Sequence, residues 1–139
     1  MDTSDGPTIA TVIPVLNEAF HIEACLNGLL NQTVPESSHM ILVMDGGSTD
    51  GTIPLVKSLI EQAKAASMPR IELHHNPGQT VAHGRNLALS LLPDSIDFLI
   101  EMIGHVTIEP THIQQRLEAW NASESKAGTS LAGGGCRVV

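Results

Sequence analysis

Two short, almost unbroken apolar runs, Ile9 to Val15 and Met40 to Met44, are each followed by a stretch whose apolar residues recur with the helical period. A strand that is apolar at nearly every position has both faces covered, which is the habit of parallel sheets. After the first run, Ile22, Cys25, Leu26, Leu29 and Leu30 fall at i, i+3, i+4, i+7 and i+8, one face of a helix. After the second come Leu55, Val56, Leu59, Ile60 and Ala63, with Pro54 in the first turn, where proline is tolerated. Arg70 to His74 reads as a third strand, followed by a stripe of Val81, Arg85, Ala88 and Leu92 interleaved with Leu87 and Leu91. Phe98 to Met102 reads as a fourth strand, and Pro110 opens a helix carrying Ile113, Leu117 and Trp120. The tail from Ala127 is glycine-rich and then apolar, and is read as entering another strand at Cys136 to Val139. Strands alternating with helices predict an α/β fold, a mainly parallel sheet flanked by helices. Right-handed crossovers then bring the loops that follow the strands to one edge of the sheet.

The 139 residues fit one domain, 1–139, with one core. Phe20, Phe98 and Trp120 are the only aromatic residues besides histidine, so the core is aliphatic. A formal charge of -8 argues against nucleic acid as a partner, because phosphate backbones need a basic face. Cys25 and Cys136 form no C-x-x-C pair, so neither a disulfide framework nor a zinc site is implied. Met1 to Pro7 is polar and acidic, unlike a signal peptide. No apolar run approaches the roughly 18 to 20 residues that span a bilayer. The expected location is cytoplasmic.

Chemistry concentrates where strands give way to helices. Val43 and Met44 run into Asp45-Gly46-Gly47-Ser48-Thr49-Asp50-Gly51-Thr52, the form of a binding loop at the carboxyl end of a buried strand. Asp45 could accept a hydrogen bond from a nucleobase N–H, with Gly46 and Gly47 allowing close approach. Equally, Asp45 and Asp50 could be turn and cap residues. The first strand ends similarly, in Pro14-Val15-Leu16-Asn17-Glu18; Asn17 is a plausible cap for the following helix, with Glu18 near its positive end. Asn76-Pro77-Gly78 and Thr80 to Asn86 form a further constellation. Gly84 there permits close packing, and Arg85 offers a planar fork suited to phosphate. Arg85 is either an ordinary surface arginine of its helix or, since it shares the helix's apolar stripe, a group that points inward toward a partner. After the fourth strand, Glu101 and His105 are either metal ligands or ordinary polar surface; His74 and His75 are unremarkable. The chain has no G-x-x-x-x-G-K-S/T loop, no G-x-G-x-x-G after a strand and no G-x-S-x-G elbow, which removes P-loop, dinucleotide-binding and α/β-hydrolase readings.

Val12 to Glu18, Asp45 to Thr52 and Gly84-Arg85-Asn86 together resemble the family 2 glycosyltransferases of the GT-A fold, in order and spacing across almost the whole chain. The resemblance implies a Rossmann-like, nucleotide-binding half that holds a UDP- or GDP-sugar for transfer to an acceptor hydroxyl. It implies that Pro14, Glu18, Asp45, Gly47 and Arg85 belong to the nucleotide site. The family also carries a D-x-D-like motif after the fourth strand, where a divalent cation (Mg or Mn) meets the diphosphate. Here Ile103-Gly104-His105 stands in that place, and isoleucine cannot ligate a metal. His105 remains, and Glu101 shares a strand face with Ile103, so Glu101 could compensate. Family members continue into an acceptor side with a general base, and no residue of this chain can be named as that base. The expectation is a donor-binding portion, associating with a missing C-terminal part or with its own copies through an exposed sheet edge. A non-catalytic nucleotide-sugar binder and a nucleotidyltransferase are the alternatives. The latter needs a glycine-rich, basic loop after the first strand, which Pro14 to Glu18 does not supply.

Overall fold

The computed structural model describes residues 6–66 and 69–127. The strand expected at Cys136 to Val139 lies outside them. Four strands, β1 (Ile9–Val15), β2 (His39–Asp45), β3 (Arg70–His75) and β4 (Phe98–Glu101), alternate with helices α1 (Ile22–Leu30), α2 (Thr52–Ala65), α3 (Val81–Leu91) and α4 (His112–Ala127). All neighbouring strands are parallel, in the order β3-β2-β1-β4. The elements match the expected ones; the fourth strand ends one residue early at Glu101, and the last helix starts at His112 rather than Pro110.

The handedness of crossovers explains how the layers divide. The chain steps from β1 to β2 to β3 in one direction, so α1 and α2 lie on one face and touch each other. It then returns past β2 and β1 to β4, which puts α3 on the other face. The two-residue period of the strands sorts the core accordingly. Ile9, Ile13, Val15, Ile41, Val43 and Ile71 join Ile22, Leu26, Leu29, Val56 and Leu59 in the larger cluster, which also takes in Ile113 of α4. Ala10, Val12, Met40, Leu42 and Met44 face Ala88 of α3. Phe98 meets Trp120 of α4 edge-on, with ring centroids 6.0 Å apart.

The face under α3 is the thinner one. Only Gly84 and Ala88 of that helix are buried, and Val81, Leu89 and Leu91 are exposed. Gly84 is required there: a Cβ would lie 2.9 Å from Asn76 Nδ2 and 3.5 Å from Met44 Cβ. The larger face holds one buried polar pair, Thr11 Oγ1 and His39 Nε2, 2.8 Å apart. His39 Nδ1 has no partner, and burial lowers the His39 pKa to about 4. The ring is therefore neutral inside the fold at pH 7.

Candidate functional site

Because every strand is parallel, the loops after β1, β2, β3 and β4 share one edge of the sheet. The strand order reverses between β1 and β4, and such a switch point is where open α/β sheets place their ligands. The loops after β1 and β2 are bound to each other by a dense set of hydrogen bonds. Gly46 N–H donates to Val15 O at 2.9 Å. Asn17 N–H donates to Ser48 Oγ (2.9 Å), Glu18 N–H to Thr52 Oγ1 (2.9 Å) and Ala19 N–H to Asp50 Oδ2 (3.2 Å). In return, Asn17 Oδ1 accepts from Thr49 N–H at 2.8 Å and Asp50 N–H at 3.3 Å.

Asn17 is therefore not the cap of α1. That helix begins after His21, with no side-chain cap bond. Asn17 adopts φ 53, a left-handed conformation that asparagine tolerates better than most residues. This turns its carboxamide across to the neighbouring loop instead. No local pattern marks that role; only the parallel pairing of β1 with β2 brings the two loops within reach.

Asp45 is 2% exposed. Its Oδ2 accepts from Gly47 N–H (2.9 Å) and Ser48 N–H (3.0 Å), and its Oδ1 from Ser48 Oγ (2.5 Å). The carboxylate thus organises its own turn, as one of the two sequence readings held. Of its four lone-pair directions, one on Oδ1 remains. Gly47 sits at φ 108, which side chains rarely adopt. A Cβ on Gly46 would meet only ordinary contacts. Asp50 accepts from Thr52 N–H at 2.9 Å and Thr52 Oγ1 at 2.5 Å, opening α2, and the Thr52 hydroxyl holds its carboxyl below the usual range.

The third loop adds Asn76, which is buried; its N–H donates to Asp45 O at 2.7 Å. The fourth loop differs. Arg85 and Glu101 face each other at 3.6 Å, with side chains 44% and 47% exposed. Of the two readings of Arg85, the surface one describes its position: α3 buries only Gly84 and Ala88, and Arg85 lies half exposed against Glu101 at the end of β4. His105 Nδ1 lies 3.6 Å from Glu18 Oε2, an oxygen with no hydrogen-bond partner. Gly104 makes that approach feasible, since a Cβ there would sit 3.0 Å from Val15 Cγ1 and 3.2 Å from Glu18 Cγ. Cys25 donates weakly to Ile103 O at 3.9 Å. Burial, then the charge of Glu18, raises its thiol to about 11, so it is no nucleophile at neutral pH.

β4 ends at Glu101, so Ile103 lies beyond the strand; both residues line a pocket of about 330 Å³ with Pro14, Val81, Met102 and Arg116 among others. Glu101 and His105 are not brought together, because each is turned to a different partner. Among the described residues, no group of three histidine, cysteine or acidic side chains could hold a metal ion. No helix among the described residues is long and apolar enough to cross a membrane.

The model of the family "Glycosyl transferase family 2" matches residues 10–127, and the chain belongs to that family. The succinoglycan biosynthesis protein ExoA of Rhizobium meliloti is 34% identical over 107 residues, which are 77% of this chain and 31% of ExoA. The crystal structure of S. aureus TarS 1-349 in complex with UDP superposes with a TM-score of 0.64 at 19% identity, over 85% of this chain and 33% of that one. The mannosyltransferase PcManGT from Pyrobaculum calidifontis, in complex with GDP-Man and Mn2+, gives 0.57 at 27% identity, over 65% of this chain and 26% of that one. The fold is therefore that of GT-A glycosyltransferases, and the chain spans about a third or less of each of these relatives.

Proposed function

We propose that residues 1–139 are the donor-binding portion of an enzyme that transfers a sugar from a nucleoside-diphosphate sugar to an acceptor hydroxyl. The observation that carries this reading is the cross-linked pair of loops at the switch point, with Asp45 at its centre. Binding there would be preorganised, since the loop backbones are already held by each other. In this reading Pro14, Glu18, Asp45 and Gly47 form the nucleoside side of the site, and Arg85 lies toward the diphosphate. UDP in TarS and GDP-Man in PcManGT support a nucleoside-diphosphate sugar as the donor class.

In the transfer, the acceptor oxygen forms a bond to the anomeric carbon. The bond from that carbon to the diphosphate oxygen breaks, and the electron pair leaves with the nucleoside diphosphate. Negative charge grows on the leaving group and needs cationic partners. Arg85 and His105 are the groups of this chain suited to that, once each exchanges its carboxylate partner for phosphate. Mn2+ accompanies the donor in PcManGT; here Ile103 supplies no ligand atom, and no step is assigned to a cation. The acceptor hydroxyl must lose its proton to a base, and no residue described here is assigned that part.

A thermal-shift series with UDP, GDP and their sugars at millimolar concentration tests the reading. A rise in melting temperature with at least one of them is expected, and no rise with any of them would refute donor binding. The isoleucine at position 103 favours a second reading, a non-catalytic binder of the same ligand. Binding without turnover when the chain is joined to its acceptor-side partner would select it.

A further inference from the structure

We infer that Gln79 is a specificity-determining residue whose carboxamide reads the nucleobase beside Asp45; the inference rests on the donor-binding reading above. Gln79 and Asn17 are the only non-glycine residues with positive φ among those described. Asn17 has a visible reason, since its carboxamide joins two loops. Gln79, at φ 62, has no such reason in its side-chain hydrogen bonding. Glutamine also lacks the short side chain that makes the left-handed region tolerable for asparagine. A strained backbone persists where its surroundings over-determine it, and such positions cluster at ligand contacts.

The surroundings of Gln79 do over-determine it. Its N–H donates to Asn76 O at 3.1 Å, and Asn76 N–H donates to Asp45 O at 2.7 Å. Asn76 Nδ2 donates to Thr80 O at 3.0 Å. Thr80 caps α3 by accepting from His83 N–H at 3.1 Å. The His83 ring fills the space a Gly78 side chain would need. This places Gln79 over the β2 loop: its Cα lies 3.6 Å from a Cβ built on Gly46, and its Nε2 lies 3.6 Å from one built on Gly47. Gln79 is exposed, and no described residue is bonded to its carboxamide.

The chemistry needed beside Asp45 matches this placement. With one lone-pair direction left, Asp45 can accept a single N–H from a base. Uracil and guanine present such an imide or lactam N–H beside a ring carbonyl; cytosine and adenine present a bare ring nitrogen beside an amino group. One acceptor alone gives partial discrimination. A carboxamide N–H donating to the adjacent carbonyl completes an acceptor–donor pair that fits the keto bases, whereas an amino base seated in the same pose sets its bare ring nitrogen against the carboxylate and its amino group against the carboxamide N–H.

Calorimetric titration of UDP, GDP, CDP and ADP into the wild type, Gln79→Asn and Gln79→Glu tests this. Asparagine suits the positive φ, so Gln79→Asn should melt no lower than wild type, but it withdraws the carboxamide by one methylene. Gln79→Glu keeps the length and loses the donor. Both should reduce the preference for the better keto nucleotide over CDP and ADP by roughly fivefold to tenfold, the worth of one hydrogen bond. If the wild type binds UDP or GDP and both variants keep its base preference, Gln79 is not a reader, while donor binding stands. If the wild type binds none of the four, the donor-binding reading falls and the role of Gln79 with it.

Discussion

The loops after β1 and β2 and the loop after β4 occupy the same sheet edge but are built differently. The first two exchange backbone and side-chain hydrogen bonds across Asn17, Glu18, Ala19, Ser48, Asp50 and Thr52. The end of β4 and the loop after it are tied by the Met102 N–H bond to Val12 O at 3.0 Å and a weak Cys25 contact to Ile103 O, and their polar side chains meet neighbours only at 3.6 Å, Glu101 with Arg85 and His105 with Glu18. A surface that must hold one shape for a rigid base is served by the first construction. A group that must turn toward a charged, flexible diphosphate is served by the second, because an exposed ion pair such as Arg85 with Glu101 costs little to open. The contrast teaches where stability and binding should separate.

Asp45→Ala should have the largest effect. It removes three hydrogen bonds to one buried carboxylate and leaves loop donors unsatisfied. Urea unfolding should show a loss of about 4 kcal/mol, together with loss of any nucleotide-induced melting shift. An unchanged nucleotide response would break the assignment of this loop to the base.

Acid should act on the sheet that carries both loops. His39 has a folded pKa of about 4 against an ordinary 6.5. The unfolded chain therefore binds a proton first as pH falls, and stability drains away between pH 6.5 and about 4. It is intact above 6.5. The full loss for one such group is about 3 kcal/mol. His39→Gln should flatten unfolding free energy across that window; a profile identical to wild type would show that the ring is not held neutral.

The smallest effect on stability is expected from Arg85→Ala. Its partner contact is half exposed, so the loss should be about 0.5 kcal/mol or less. Affinity for a nucleoside diphosphate should nevertheless fall about tenfold or more, as expected for a charge-assisted contact to phosphate. Equal affinity with and without Arg85 would erase the proposed division between a rigid base side and an adjustable diphosphate side.

Much of the architecture was legible before any coordinates. Apolar residues at nearly every position of β1 and β2 required cover on both faces, and the 3.6-residue stripes of Ile22 to Leu30 and Leu55 to Ala63 supplied part of it. Asp45 and Gly47 were legible as a loop because a carboxylate and glycines directly after a buried strand have few other uses. Less legible was the stripe of α3, whose Val81 and Arg85 lie outside the core. Periodicity shows that a helix has an apolar side but not how far a sheet extends beneath it. Asn17 was misread as a cap, since an asparagine just before a helical pattern has the same local signature whether it caps that helix or reaches elsewhere.

What the sequence determined by itself is the order of elements and the parallel sense of the sheet, because both follow from local periodicity and from the chirality of L-residues. What only the tertiary structure decided is which atoms meet at the common edge: Asn17 with Thr49, Glu18 with His105, Arg85 with Glu101, and Gln79 above Gly46 and Gly47. Those partners are separated by 16 to 87 positions along the chain. Their distances depend on strand register and crossover direction, which no local run of residues encodes.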